Sequence, residues 1–137
     1  LRRRQRQMCI RDSLKSKYDI ILCAQVLEHL PFSEFEVSLK EIAKICERYA
    51  VITLPYGGID FSLIAYLPRI GLKKILSVKI PFPRKHKFNG EHYWEIGKKG
   101  YSLSKIRGII SRYFIIEEEF CPPENMWHYF FILRVRK

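Results

Sequence analysis

The chain has 137 residues, an apolar fraction of 47% and a formal net charge of +11, which bounds it to one domain with enough apolar content for a core. No apolar run reaches the roughly 18 residues that a membrane-spanning helix needs, and the basic start lacks the apolar region of a secretory signal. The charge is uneven, because residues 1–17 hold seven Lys/Arg against Asp12, residues 69–100 hold nine against Glu91 and Glu95, and residues 18–56 hold six acids against three bases, unlike a uniform nucleic-acid-binding face.

Residues 1–13, LRRRQRQMCIRDS, show no periodicity and resemble translated adapter scars at the ends of assembled reading frames. Residues 1–17 are therefore read as a basic tail, non-native or disordered. A basic arm for nucleic acid or anionic lipid is the functional alternative. Four cysteines, Cys9, Cys23, Cys46 and Cys121, show no paired spacing. They read as reduced thiols in a cytoplasmic protein.

Tyr18 to Ala24 is a short apolar run behind Asp19, which predicts a buried parallel strand. Gln25 to Pro31 forms a loop at its carboxyl end. Ser33 opens a helix, with Glu36 placed to complete a capping box. Phe35, Leu39, Ile42 and Cys46 fall on one helical stripe. Tyr49 to Leu54 is a second apolar, β-rich run, closed by Pro55 and a turn at Gly57-Gly58. A helix between two such strands predicts a β-α-β crossover. In open parallel sheets, ligands bind beyond the carboxyl ends of the strands.

The segment Asp19-Ile20-Ile21-Leu22 leading to Val26-Leu27-Glu28-His29-Leu30-Pro31 resembles the fourth strand and following loop of class I S-adenosylmethionine (SAM)-dependent methyltransferases, type 11/12 small-molecule group. The resemblance covers about residues 18 to 137. It implies SAM as cofactor, with Cys23, Ala24 and Gln25 beside its methionine portion. It places Glu28 and His29 at the mouth, facing the acceptor. His29 would be the general base, since an unperturbed imidazole titrates near neutrality. The bland alternative is that Glu28 and His29 only brace the loop. The glycine-rich turn that holds the cofactor in this family has no counterpart before Tyr18. The expectation is therefore the C-terminal half of a methyltransferase, inactive alone, with the Tyr18 strand left as an open, aggregation-prone edge.

Residues 57–100 read as an insertion. Pro68 and Gly71 interrupt its apolar part, which predicts two short helices. Pro81 to Lys87 reads as an extended basic turn. A lid favouring an anionic or lipid-linked acceptor, a membrane-surface helix and a solvated connector are the three readings of this insertion. Gly90 to Gly97 then packs two acids, a histidine and two large aromatics together. Glu91, His92, Tyr93 and Trp94 are candidate acceptor contacts, and a packed loop anchored by Trp94 is the alternative. His29, His86, His92 and His128 show no recognised ligand spacing, so no metal is expected.

Ser102 caps a helix carrying Leu103, Ile106, Ile110 and Tyr113 on one stripe. Phe114–Phe120 and Trp127–Val135 are strands joined by a connection too short for a parallel crossover, hence an antiparallel hairpin. Glu117, Glu118 and Glu119 read as a solvated strand end. The fold class is α/β: a partial Rossmann-like methyltransferase sheet, its C-terminal strands parallel with a final antiparallel hairpin, flanked by helices. Residues 18–137 form its C-terminal part. The acceptor would be a small molecule, glycan or lipid precursor. Nucleic acid is disfavoured as a partner, and residues 61–87 offer peripheral membrane contact. The competing function is a non-catalytic basic module binding nucleic acid or an anionic membrane surface.

Overall fold

The computed structural model describes residues 16–136 apart from 68, 70 and 89. Residues 1–15 of the expected tail, Cys9 among them, lie outside the described residues. The chain runs through β1 (Tyr18–Ala24), two 3₁₀ turns (Leu27–His29 and Phe32–Glu34), α1 (Phe35–Ile45) and β2 (Cys46–Pro55). It continues through β3 (Gly58–Leu67), β4 (Leu72–Pro81), α2 (Leu103–Ile110), β5 (Phe114–Phe120) and β6 (His128–Val135). Four strands form one sheet in the order β1-β2-β6-β5. β1 and β2 are parallel, and β6 is antiparallel to both β2 and β5.

The core follows from period-2 alternation in β2 and β6. Ala50, Ile52 and Leu54 lie opposite Leu133, Phe131 and Tyr129, and all six are buried. Phe35 and Leu39 of α1, with Ile106 and Ile110 of α2, complete the same cluster. The α1 stripe forms as expected except at its end: Cys46 is buried as the first residue of β2, not as part of the helix. Ser102 Oγ accepts from the Lys105 N–H at 3.2 Å and caps α2. Tyr113 lies beyond the end of that helix.

Several expectations are corrected. The Ser33–Glu36 capping box does not form, because a 3₁₀ turn precedes α1 and no side chain caps it. The Glu36 carboxylate instead accepts from Arg112 at 2.7 Å and from the Tyr113 hydroxyl at 3.1 Å, tying α1 to the end of α2. β1 is parallel but not buried, since it is the sheet edge among the described residues. Its outward Ile20 and Leu22 are 66% and 70% exposed, while Ile21 and Cys23 pack on the core. Glu117 and Glu119 are not merely solvated, as they pair with Arg134 and Arg107.

The largest correction concerns residues 58–81. They form a β-hairpin, not two helices, and this hairpin is a separate two-stranded sheet. Gly71, in the turn, has φ +63, a conformation that suits glycine; Pro68 lies outside the described residues. Register places Ile59, Phe61 and Leu63 opposite Ile80, Val78 and Leu76. These six apolar side chains share one face, and all are exposed. The opposite face is anchored at its root, where Lys79 bonds Asp60 at 2.6 Å and also the Met126 carbonyl, and Ser62 Oγ donates to the Pro123 carbonyl at 3.4 Å.

The exposed apolar edge of β1 generates a prediction. Leu22→Lys should change unfolding free energy by no more than about 0.5 kcal/mol, because the side chain packs on little. The same change should suppress self-association measured by light scattering, since an edge lysine blocks strand addition. Unchanged aggregation would place the sticky surface elsewhere.

Candidate functional site

The carboxyl end of β1 is built by a strained turn. Gln25 has φ +52, a left-handed conformation that costs a non-glycine residue about 1–2 kcal/mol. Thr53, the register neighbour of Ala24, holds it there. The Gln25 N–H reaches the Thr53 carbonyl at 3.2 Å and its hydroxyl at 3.1 Å, and the Gln25 amide donates to that hydroxyl at 3.2 Å. Thr53 was not a sequence candidate, although a threonine inside the apolar run Val51 to Leu54 was the available signal. Ala24 is exposed beside this turn, and Cys23 is partly buried. Burial, with the nearby Glu28 charge, pushes the Cys23 thiol up to about 11. It is therefore a neutral thiol near pH 7, not a nucleophile.

The following 3₁₀ turn sends Leu27 and Glu28 inward and leaves His29 partly exposed. A segment sixty-odd residues later is laced onto it. The Tyr93 N–H donates to the Glu28 carbonyl at 2.8 Å. His29 Nδ1 lies 2.9 Å from the Glu91 carbonyl. The Trp94 indole N–H reaches the Leu30 carbonyl at 3.2 Å. The two sequence-predicted groups, Glu28-His29 and Glu91-His92-Tyr93, are thus one site. His29 and His92 meet edge to face with ring centroids 5.0 Å apart. Tyr93 is 44% exposed and available to a ligand. Trp94 is corrected: it is fully buried against Phe32 and Phe35, so it anchors the loop and offers no surface to an acceptor.

Behind this rim lies a second carboxylate. Glu95 is buried, and its Oε1 sits 3.3 Å from His92 Nδ1 and 3.9 Å from His86 Nδ1. Its Oε2 is 3.7 Å from the Lys98 ammonium. His86 Nε2 reaches the His92 carbonyl at 2.8 Å. Gly57 passes so close that a Cβ there would lie 2.9 Å from Glu95 Oε2 and 2.7 Å from Lys98 Cε, so only glycine fits without displacement.

Glu28 itself is unusual. Its side chain is fully buried and neither carboxylate oxygen has a hydrogen-bond partner. Burial pushes its carboxyl above the ordinary range, and its own backbone amide, followed by His29, His92 and His128, partly opposes the shift. Ligand atoms of Glu28, His29 and His92 all lie within 4.8 Å of one another. Adjacent residues plus one from a distant loop give no spacing that sequence could reveal. A separate concavity lined by Glu47, Arg48, Tyr49 and Arg134 lies at the opposite end of β2 and shares none of these groups.

No protein-family model matches the sequence, and no curated protein matches it in sequence comparison. Solved structures do. Magnesium protoporphyrin IX methyltransferase from Synechocystis PCC 6803 with bound SAH aligns with a TM-score of 0.52 at 20% identity, over 93% of this chain and 48% of that one. Its SAM-bound form aligns with a TM-score of 0.47 at 19% identity, over 93% and 43%. The N-terminal domain of EvdMO1, solved with SAH and D-fucose, gives 0.41 at 13% identity, over 92% and 52%. The chain thus spans about half the length of these structures. Its fold is the Rossmann-like α/β fold of class I SAM-dependent methyltransferases.

The buried Glu28 generates a pH prediction. Its folded-state affinity for a proton exceeds its unfolded one, so stability is lost as pH rises from the ordinary carboxylate range through the raised value. Glu28→Gln should therefore stabilise the protein near neutrality in the presence of a chelator. The gain should vanish in acid, where the native carboxyl is already protonated. Urea unfolding at the two pH values tests this, and a variant less stable at neutral pH contradicts it.

Proposed function

We propose that the chain is the acceptor-side, C-terminal part of a SAM-dependent methyltransferase acting on a small molecule, glycan or lipid precursor. The observation that carries this reading is the convergence of Glu28-His29 with Glu91-His92-Tyr93 at the carboxyl end of β1, on a sheet of this order. That is where an open α/β sheet receives ligands. Exposed Ala24, with its small side chain, leaves room on one side of a bound cofactor, and Thr53 holds the turned backbone of Gln25 beside it. Bound SAM supplies an electrophilic methyl group on sulfur. The chain's own residues then orient the acceptor and take its proton. A carbonyl only accepts, so His29 Nδ1 carries the hydrogen toward Glu91 and Nε2 keeps its lone pair. That lone pair, 3.8 Å from Glu28 Oε1, suits a proton acceptor. Glu91 and Tyr93 contact the acceptor from the exposed rim.

These 137 residues contain no glycine-rich turn preceding β1. We therefore expect them to bind SAM weakly and not to turn over alone. No helix among the described residues is long and apolar enough to cross a membrane. The free thiols of Cys23, Cys46 and Cys121 suit a reducing compartment, the cytoplasm.

Heteronuclear NMR with millimolar SAM tests the placement. Shift changes should cluster at Cys23, Ala24 and Gln25, and shifts confined to other surfaces would overturn it. In an enzyme form that turns over, His29→Ala should lower kcat about 10²–10⁴-fold with less effect on SAM affinity.

A second reading concerns residues 61–87. The six exposed apolar side chains of the β3–β4 hairpin, followed by Arg84, Lys85 and Lys87, favour peripheral contact with an anionic membrane that would hold a lipid precursor. Vesicles rich in phosphatidylserine should co-sediment the chain, and Phe61→Ser with Leu76→Ser should abolish this. Equal binding by the double variant would refute hairpin insertion.

A further inference from the structure

We propose that Glu28, His29 and His92 form a binding site for a first-row divalent transition cation of the zinc type. The inference does not rest on the methyl-transfer reading. It rests first on Glu28, whose carboxylate is fully buried with no hydrogen-bond donor on either oxygen. An ionised carboxylate in that state is costly and calls for a proton or a cation. Two imidazoles stand beside it, and the ligand atoms of all three residues lie within 4.8 Å of one another.

The second observation is what the imidazoles do with their other nitrogens. His29 Nδ1 is engaged by the Glu91 carbonyl at 2.9 Å, and His92 Nδ1 faces the buried Glu95 carboxylate at 3.3 Å. A metal-ligating histidine characteristically donates its remote N–H to a carbonyl or a carboxylate, which fixes the tautomer and turns the other lone pair to the ion. Both partners are present here, one of each kind. His86 adds a brace through its 2.8 Å bond to the His92 carbonyl.

The donor set selects the ion. Two imidazole nitrogens and one carboxylate suit zinc, iron or nickel, whereas magnesium prefers oxygen and retains its waters. Ligand atoms around a tetrahedral zinc lie about 3.4 Å apart, given bonds of about 2.0–2.2 Å. Closing to that spacing requires shifts of about an ångström, within reach of the partly exposed His29 ring. Three protein ligands leave a coordination position open, as catalytic zinc sites do. An acceptor oxygen bound there would lose its proton more readily. The ion would engage the Nε2 lone pair that the proton-acceptor role uses, so ligand and base are alternative roles of His29.

The test uses the 137-residue chain, stripped with a chelator and exchanged into metal-free buffer. Calorimetric titration with Zn²⁺ should show one tight equivalent, and Mg²⁺ should show none of comparable strength. Co²⁺ should give a visible spectrum of nitrogen and oxygen coordination without sulfur charge transfer. Glu28→Gln and His92→Ala should each weaken Zn²⁺ binding more than about tenfold, and Glu95→Gln, which leaves every ligand in place, by about 10–100-fold. Circular dichroism checks each variant, and Glu95→Gln decides the matter if a ligand variant misfolds. No binding by the native chain, binding unchanged in Glu95→Gln and His92→Ala, or a thiolate spectrum placing the ion at a cysteine would each overturn the proposal.

Discussion

The buried indole of Trp94 is the constraint on which the site depends. Its ring meets the stacked pair Phe32 and Phe35 edge to face, and its N–H ends on the Leu30 carbonyl. An aromatic of this size contributes a large buried area and one directional bond. Together these pin residues 91–96 onto the loop after β1. The parallel bridge between Tyr56 and Ile96 secures the other side. Once Trp94 is seated, His92 and Tyr93 have little choice of position. The rim chemistry is therefore a consequence of core packing.

Electrostatics then distinguishes the two carboxylates. Glu95 is buried but surrounded by His86, His92 and Lys98, so its charge is compensated locally. Glu28 is buried beside the His29 and His92 imidazoles and near the Cys23 thiol, and neither of its carboxylate oxygens has a hydrogen-bond partner. In a low-dielectric setting such a group stays neutral or recruits a counter-charge. One carboxylate organises and the other is left with unmet capacity. Such asymmetry is common where a protein holds chemistry in readiness.

Much of the sheet was legible because local signals agreed. β1 and β5 match their apolar runs to the residue, the Ser102 cap marks the α2 start, and Phe35 and Leu39 face inward as their spacing implies. The hairpin was misread for a physical reason. Leu63, Ile64 and Leu67 mimic helical spacing, while the alternation of Ile59, Phe61 and Leu63 only makes sense beside Leu76, Val78 and Ile80. Strand pairing is a property of two segments, and no window along one segment contains it. The site shows the same limit. Glu28-His29 and His92 were each visible, but their meeting depends on Trp94 and on Tyr93 bonding across to Glu28. Gln25's left-handed turn was equally hidden, since Thr53 enforces it from the next strand.

The place of β6 has a consequence for the order of assembly. β6, the last strand among the described residues, is an interior strand, flanked by β2 and β5. Tyr49 pairs with Arg134 and Pro55 with His128, so β2 waits for partners synthesised long after it. Loop closure over such distances makes folding slow. Until β6 is available, β2 has only β1 to pair with in this sheet. That wait leaves an apolar strand exposed, the condition under which chaperones become necessary. β6 thus decides when β2 and β5 can join one sheet.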